Sequence, residues 1–247
     1  MARRSDDARA KKCIGILQPV YLPWIGYFEQ IDYVDHFVFQ DDVQYTKNDW
    51  RNRNRICTKA GPTWLIVPVK RDGLHTRLHE SRIDYGRNWA RKQILTISQA
   101  YASSPFVAPV IAMLQEAFEA QPERLTDLTI PLIERLSSHL SIASTFSRAS
   151  DVPRAPDADL TARLLEIAQA NDATDLYLGA KGVAYVDTGF LAQNGVSVTF
   201  QDFVHPEYSQ NGPEFHSHMS ILDYIASVGP AGVRHWLDSL PKFGAHG

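Results

Sequence analysis

With 247 residues, 44% apolar and 21% charged side chains and a net charge of −3, the chain can bury one sizeable core and has no overall pull toward nucleic acid or an anionic membrane. No apolar run approaches the ~20 residues that a membrane helix needs. Residues 1–12 carry charge without an apolar segment behind it, so they read as a disordered leader rather than a signal peptide, ahead of a single domain at 13–247. Cys13 and Cys57, the two cysteines, lack metal-site spacing and read as buried reduced thiols, which fits a cytoplasmic protein.

The chain is organised around residues 13–55. An apolar run at 14–17 suits a buried strand, and Pro19 and Pro23 stiffen the turn after it. From Gly26 the spacing of Tyr27, Phe28, Ile31 and Val34 predicts an amphipathic helix, and 37–39 predicts a second strand ending at Asp41 and Asp42. Residues 55–58 and 64–69 form a predicted hairpin across Lys59-Ala60-Gly61-Pro62. Helical spacing then runs through 87–101, 107–120 and 122–140, with Pro122 placed for a first turn. A strand is expected at 142–148, followed by a helix capped by Asp157 or Asp159 that runs to about 170. Strands at 176–178 and 196–200 flank a short helix at 183–193, and Gly229-Pro230 splits the last helical stretch in two. Alternating strands and helices predict an α/β fold: a mainly parallel, Rossmann-like sheet with helices on both faces, a β-hairpin, and a helical insertion or cap at 86–140.

In such sheets ligands bind beyond the carboxyl ends of the strands. Four polar segments are expected to gather there. Gln18, Tyr21, Trp24 and Tyr27 offer a substrate pocket of rings and directional hydrogen bonds, and the helix start at Gly26 offers N–H groups to an anion. Asp42 is a candidate base, with Lys47, Arg51, Asn52 and Arg53 near Trp50 as an anion clamp. Gly179, Lys181 and Gly182 form a small anion-binding loop, without the spacing of a Walker or dinucleotide fingerprint. His205, with Tyr208 and Gln210 beside it, is the second candidate base. His216 and His218 join His205 in a cluster, but no carboxylate has ligand spacing, and no metal is assigned.

Four blocks in this order carry a resemblance: QPVYLPWIGYFEQI, the segment from Lys47 to Arg53, WLIVPV from Trp64, and HPEYSQ with FHSHMSILDYI. Together they resemble the WbqC-like family along nearly the whole chain. That resemblance implies a setting in O-antigen polysaccharide or natural-product biosynthesis, and a transferase moving a glycyl-type aminoacyl or acyl group to a sugar nucleotide or small metabolite. The donor would be an aminoacyl-tRNA, an adenylate or a carrier-protein thioester. The loop Gly179-Ala180-Lys181-Gly182 departs from the more glycine- and serine-rich loop of the family. A more distant similarity links the first strand and turn to the nucleotidyltransferase superfamily of pantothenate synthetase. Gly26 fits the glycine of its His-x-Gly-His element, but both histidines are missing. ATP and Mg²⁺ enter only under the alternative of an amide ligase of that kind. A second alternative is a non-catalytic module that binds a sugar nucleotide or a partner.

Overall fold

The fold grows outward from β1 (Cys13–Leu17), the central strand of a five-stranded sheet ordered β5-β2-β1-β6-β7. The computed structural model describes residues 11–70, 73 and 75–243. Most of the expected leader, residues 1–10, lies outside the described residues, whereas the Lys12 backbone N–H donates to Thr174 Oγ1 and its ammonium to the Asn171 carbonyl. From β1 the chain passes through α1 (Ile25–Tyr33) to β2 (His36–Phe39) and then to a separate hairpin, β3 (Arg53–Thr58) and β4 (Gly61–Ile66). Helices α2 (Trp89–Ala100), α3 (Ala108–Glu119) and α4 (Leu125–His139) lead to β5 (Thr145–Arg148). The chain then turns through α5 (Leu160–Ala170), β6 (Asp175–Leu178), α6 (Thr188–Gln193) and β7 (Ser197–Phe200), and ends in α7 (Ile221–Asp238). Every pairing in the large sheet is parallel.

Alternation along the strands sorts the two faces. Ile14, Ile16, Val38, Leu176 and Leu178 pack with Leu164 and Ile167 of α5 and Leu191 of α6. On the other face, Phe37, Phe39 and Tyr177 meet α1 and α7, and the same apolar cluster continues into α2, α3 and α4. The helices at 86–140 therefore share the core of the sheet. Gly15 belongs to this packing: a Cβ there would stand 2.8 Å from the Phe37 ring. Both cysteines are free and buried, and burial pushes the Cys13 thiol up to about 12, with Asp175 and Asp35 adding to the rise.

Local differences from the expected elements have local causes. The hairpin turns on Lys59-Ala60, because Gly61, at φ +100°, already pairs with Thr58. The expected helix at 183–193 splits into a 3-10 turn at Ala180–Ala184 and α6, whose start is fixed by Asp187 accepting from the Phe190 N–H. Pro122 precedes α4 rather than opening it, while Pro131 lies inside the helix. The helix survives that missing N–H because Leu128, Ile130, Leu132 and Ile133 are buried around it. Asp159 caps α5 through Ala162 N–H, and the two segments of α7 meet at Gly229, φ +74°.

Candidate functional site at the reversal of the sheet

From β1 the chain steps outward to β2 and β5, then returns to place β6 on the other flank of β1. This reversal leaves a crevice between the loops that follow β1 and β6. Trp24, in the first loop, lies across the start of α1, where a Cβ on Gly26 would stand 2.3–2.7 Å from its ring. Gly26 thus supports an indole, and the indole occupies the place where an anion was expected to meet the helix end. Below it, Gln201 donates to the Gly26 carbonyl (2.7 Å) and to Glu29, while Tyr177 donates to Glu29 Oε1 at 2.9 Å. Burial raises the Glu29 carboxyl above its ordinary range against these two hydrogen bonds. A cleft of about 180 Å³ opens beside Glu29, lined by Tyr33, Tyr177, Asp202 and Phe203. Phe203 also meets Trp24 edge-on at 4.8 Å, so it walls both the cleft and the indole. Gly26→Ala is expected to displace Trp24 and cost about 1–3 kcal/mol, the usual range for overpacking. Near-UV circular dichroism and thermal denaturation check both parts.

Two imidazoles pack on Trp24. His205 is nearly parallel to it at 6.0 Å, and His218 lies at 4.4 Å. The two differ in what their nitrogens do. His205 Nδ1 must donate to the Pro206 carbonyl (2.8 Å), because that oxygen only accepts, and Nε2 must accept from the His218 backbone N–H (3.1 Å). No lone pair remains on His205. His218 contacts Ser217 Oγ through Nδ1 (2.8 Å), and its Nε2 has no hydrogen bond among the described residues. Desolvation lowers the His218 imidazole below its ordinary value, and the charges of Arg55 and Lys181 lower it further. Burial likewise lowers His205, with the Pro206 bond opposing. The crevice mouth therefore holds a neutral, open imidazole on an indole, with a guanidinium and an ammonium beside it. Such a group accepts a proton near neutral pH. Among the described residues, no group of three or more His, Cys, Asp or Glu side chains is placed to hold a metal ion.

The sequence profile of the WbqC-like protein family matches residues 18–235, a span that takes in β1's loop, the hairpin and the imidazole loop. The chain belongs to this family. It is also 34% identical over 221 residues to the uncharacterized protein Rv1507c of Mycobacterium tuberculosis (strain ATCC 25618 / H37Rv), covering 88% of this chain and 94% of that one. No helix among the described residues is long and apolar enough to cross a membrane.

The other residues expected to line the site of this WbqC-like chain divide by burial. Trp24 packs against His218, Lys181 is exposed with its charge acting on that imidazole, and Gln18 is half-buried, its carbonyl taking the Tyr27 hydroxyl at 3.1 Å. Tyr21 and Tyr27 are core residues, and the Tyr21 hydroxyl donates to Gln93 Oε1 at 2.7 Å. Asp42 is 3% exposed and bound at 2.9 Å to the Nε of Arg163, itself 1% exposed, so it has no open face on which to act as a base. Arg51 pairs with Asp49, and Asn52 donates to the Val67 carbonyl (2.8 Å); both are buried. Lys47 is exposed in the preceding loop, whereas Arg53 lies on the outer face of the hairpin, 4.4 Å over the ring of Trp64. Gly182 is buried where a Cβ would meet Phe200 at 2.8 Å, and Gly179 adjoins Gln30; both shape the loop that carries Lys181. Gln210 braces the imidazole loop by bonding both the N–H and the carbonyl of His216. Tyr208 donates to Asp223, which also accepts from Tyr101 and the Cys57 N–H and so ties this loop to α7, α2 and the hairpin. The open nitrogen of His218 emerges only in three dimensions, because no spacing rule distinguishes His218 from His205.

Proposed function

We propose that the protein is a cytoplasmic transferase that moves an aminoacyl (glycyl-type) or acyl group onto the amine or hydroxyl of a sugar nucleotide or small biosynthetic metabolite. The observation that carries this reading is the open, neutral His218 imidazole on Trp24, flanked by Arg55 and Lys181 at the sheet reversal. In the reaction, the acceptor N–H or O–H attacks the donor carbonyl and passes its proton to His218 Nε2. Lys181 and Arg55 hold the acceptor's phosphate or carboxylate and offset the charge that develops on the carbonyl oxygen. Collapse of the tetrahedral intermediate forms the amide or ester, and His218 returns the proton to the departing hydroxyl, phosphate or thiol. His205 fixes the His218 backbone, and Trp24 supports the reacting ring. The catalytic role expected for His205 thus passes to its neighbour.

The test supplies labelled glycine in three activated forms, as glycyl-tRNA, glycyl adenylate and a carrier-protein thioester, with a panel of amino-sugar nucleotides. Mass spectrometry then reads the acceptors. Glycylated product from an activated donor without ATP is the expected result. Product that requires free glycine and ATP and releases pyrophosphate assigns an amide ligase instead. Binding of the acceptors with no product from any donor assigns a binding module.

A further inference from the structure

The outer face of the hairpin has the makings of a second binding surface. The register pairs Arg53 with Ile66 and Arg55 with Trp64, while the intervening Asn54, Ile56 and Leu65 are buried. Period-two alternation therefore sends two guanidiniums and an indole outward together. Trp50, at the entry to β3, adds a second indole with its centroid 5.5 Å from that of Trp64. Both indoles are 41% exposed, unusual for the largest apolar side chains, and Ile66 beside them is 44% exposed. Arg53 lies over Trp64, and Arg55 lies 5.6 Å and 5.4 Å from the centroids of Trp50 and Trp64. Among the described residues neither arginine has a carboxylate partner, whereas Arg51 beside them is paired to Asp49.

From this face we infer that the hairpin binds single-stranded RNA of the kind that ends an aminoacyl-tRNA. The inference rests on the transferase reading and selects its donor. Exposed rings interleaved with guanidiniums that have no carboxylate partner among the described residues, Arg53 donating only to the Asn48 carbonyl, suit bases that stack and phosphates that follow the backbone. The two indoles stand too close, at an interplanar angle of 41°, to admit a base between them, so they offer a bent platform. An outward sheet face favours a strand laid along it over a small ligand, which needs a concave site. The net charge of −3 places this basic face on an otherwise acidic molecule, so RNA would meet it locally. The platform also adjoins the proposed reaction centre: Arg55 lies over both indoles, and its carbonyl accepts from the N–H of Ser220 (2.7 Å), two residues from His218. A strand held on the hairpin would bring its esterified end to that imidazole.

The experiment uses the full chain with a fluorescein-labelled single-stranded oligoribonucleotide ending in CCA, read by anisotropy, with tryptophan quenching as a second signal. The expected result is saturable binding that Trp64→Ala weakens roughly ten- to a hundredfold, the range for losing one stacked base. Trp64→Phe should restore much of it. Arg53→Glu should also weaken binding and reduce the salt dependence, whose logarithmic slope is roughly −0.7 for each phosphate contacted on a single strand. Circular dichroism melts confirm that each variant is folded. No binding at low salt, or equal binding by wild type and the folded Trp64→Ala and Arg53→Glu variants, overturns the inference. It also falls if free sugar nucleotides compete as well as the oligonucleotide, or if the face proves to join two copies of the chain. Because binding is read without turnover, a failed transfer assay leaves the RNA result standing, and failed RNA binding leaves transfer from a thioester donor untouched.

Discussion

Arg163→Ala is expected to remove about 3–5 kcal/mol of stability, the range for stripping one partner from a buried ion pair. Arg163 sits on α5 and meets the Asp42 carboxylate through Nε. Its Nη atoms donate to the carbonyls of Ala149, Val152 and Pro153 and to Glu166. Truncation strands a carboxylate that is 3% exposed and leaves the loop after β5 without the donors that fold it onto α5. Since domains are stable by only ~5–15 kcal/mol, much of the margin disappears. Urea denaturation of wild type and variant gives the number directly. The pair can be separated from its cost by a double variant. Asp42→Asn combined with Arg163→Met removes both charges, and it should lie closer to wild type than Arg163→Ala does, because no uncompensated ion remains. A loss below about 1 kcal/mol for Arg163→Ala would mean that water reaches Asp42 and solvates it. A single Asp42→Asn variant tests a catalytic role for Asp42: it should lower stability while the folded fraction keeps its turnover.

How Asp42 acquired its partner shows where reading along the chain stops. The carboxylate and guanidinium are 121 residues apart and meet only because β2 and β5 are neighbours in the sheet, with α5 crossing behind them. Arg51, far nearer along the chain, does not take that place and pairs with Asp49 instead. Tyr21 and Tyr27 follow the same logic. Beside two prolines at a strand end they look like pocket residues, but Gln93, on a distant helix, satisfies the Tyr21 hydroxyl in the core. Patterns with a fixed period travelled better. The apolar run of β1, the spacing along α1 and the hairpin all depend on backbone geometry that repeats over a few residues, and all three were legible. The same period of two carried Arg53 and Arg55 to one face, although Trp64 joins them only through the cross-strand register. The imidazole loop has no period. Which of its histidines keeps a free nitrogen depends on one backbone N–H and one carbonyl.

That small difference leads to the largest expected effect on activity. His218→Ala should reduce kcat/KM by ~10²–10⁴-fold, the usual contribution of a positioned acid–base group. His205→Ala should cost less, because His205 acts by holding the His218 backbone. The pH profile separates the two roles. Desolvation, with Arg55 and Lys181 beside it, holds the His218 imidazole below its ordinary value, so the acid limb of wild-type kcat/KM should fall below about 6.5. A base whose pKa is depressed by neighbouring cations recovers when a cation is removed. Lys181→Met should therefore move the acid limb upward toward the ordinary imidazole value, besides weakening an anionic substrate. His205→Ala leaves both cations in place, so its limb should stay near that of wild type while kcat falls. If instead the limb vanishes in His205→Ala and survives in His218→Ala, the proton goes to His205. The hydrogen bond between the His218 N–H and His205 Nε2 must then open during turnover, because the lone pair that accepts it is the one a base would use.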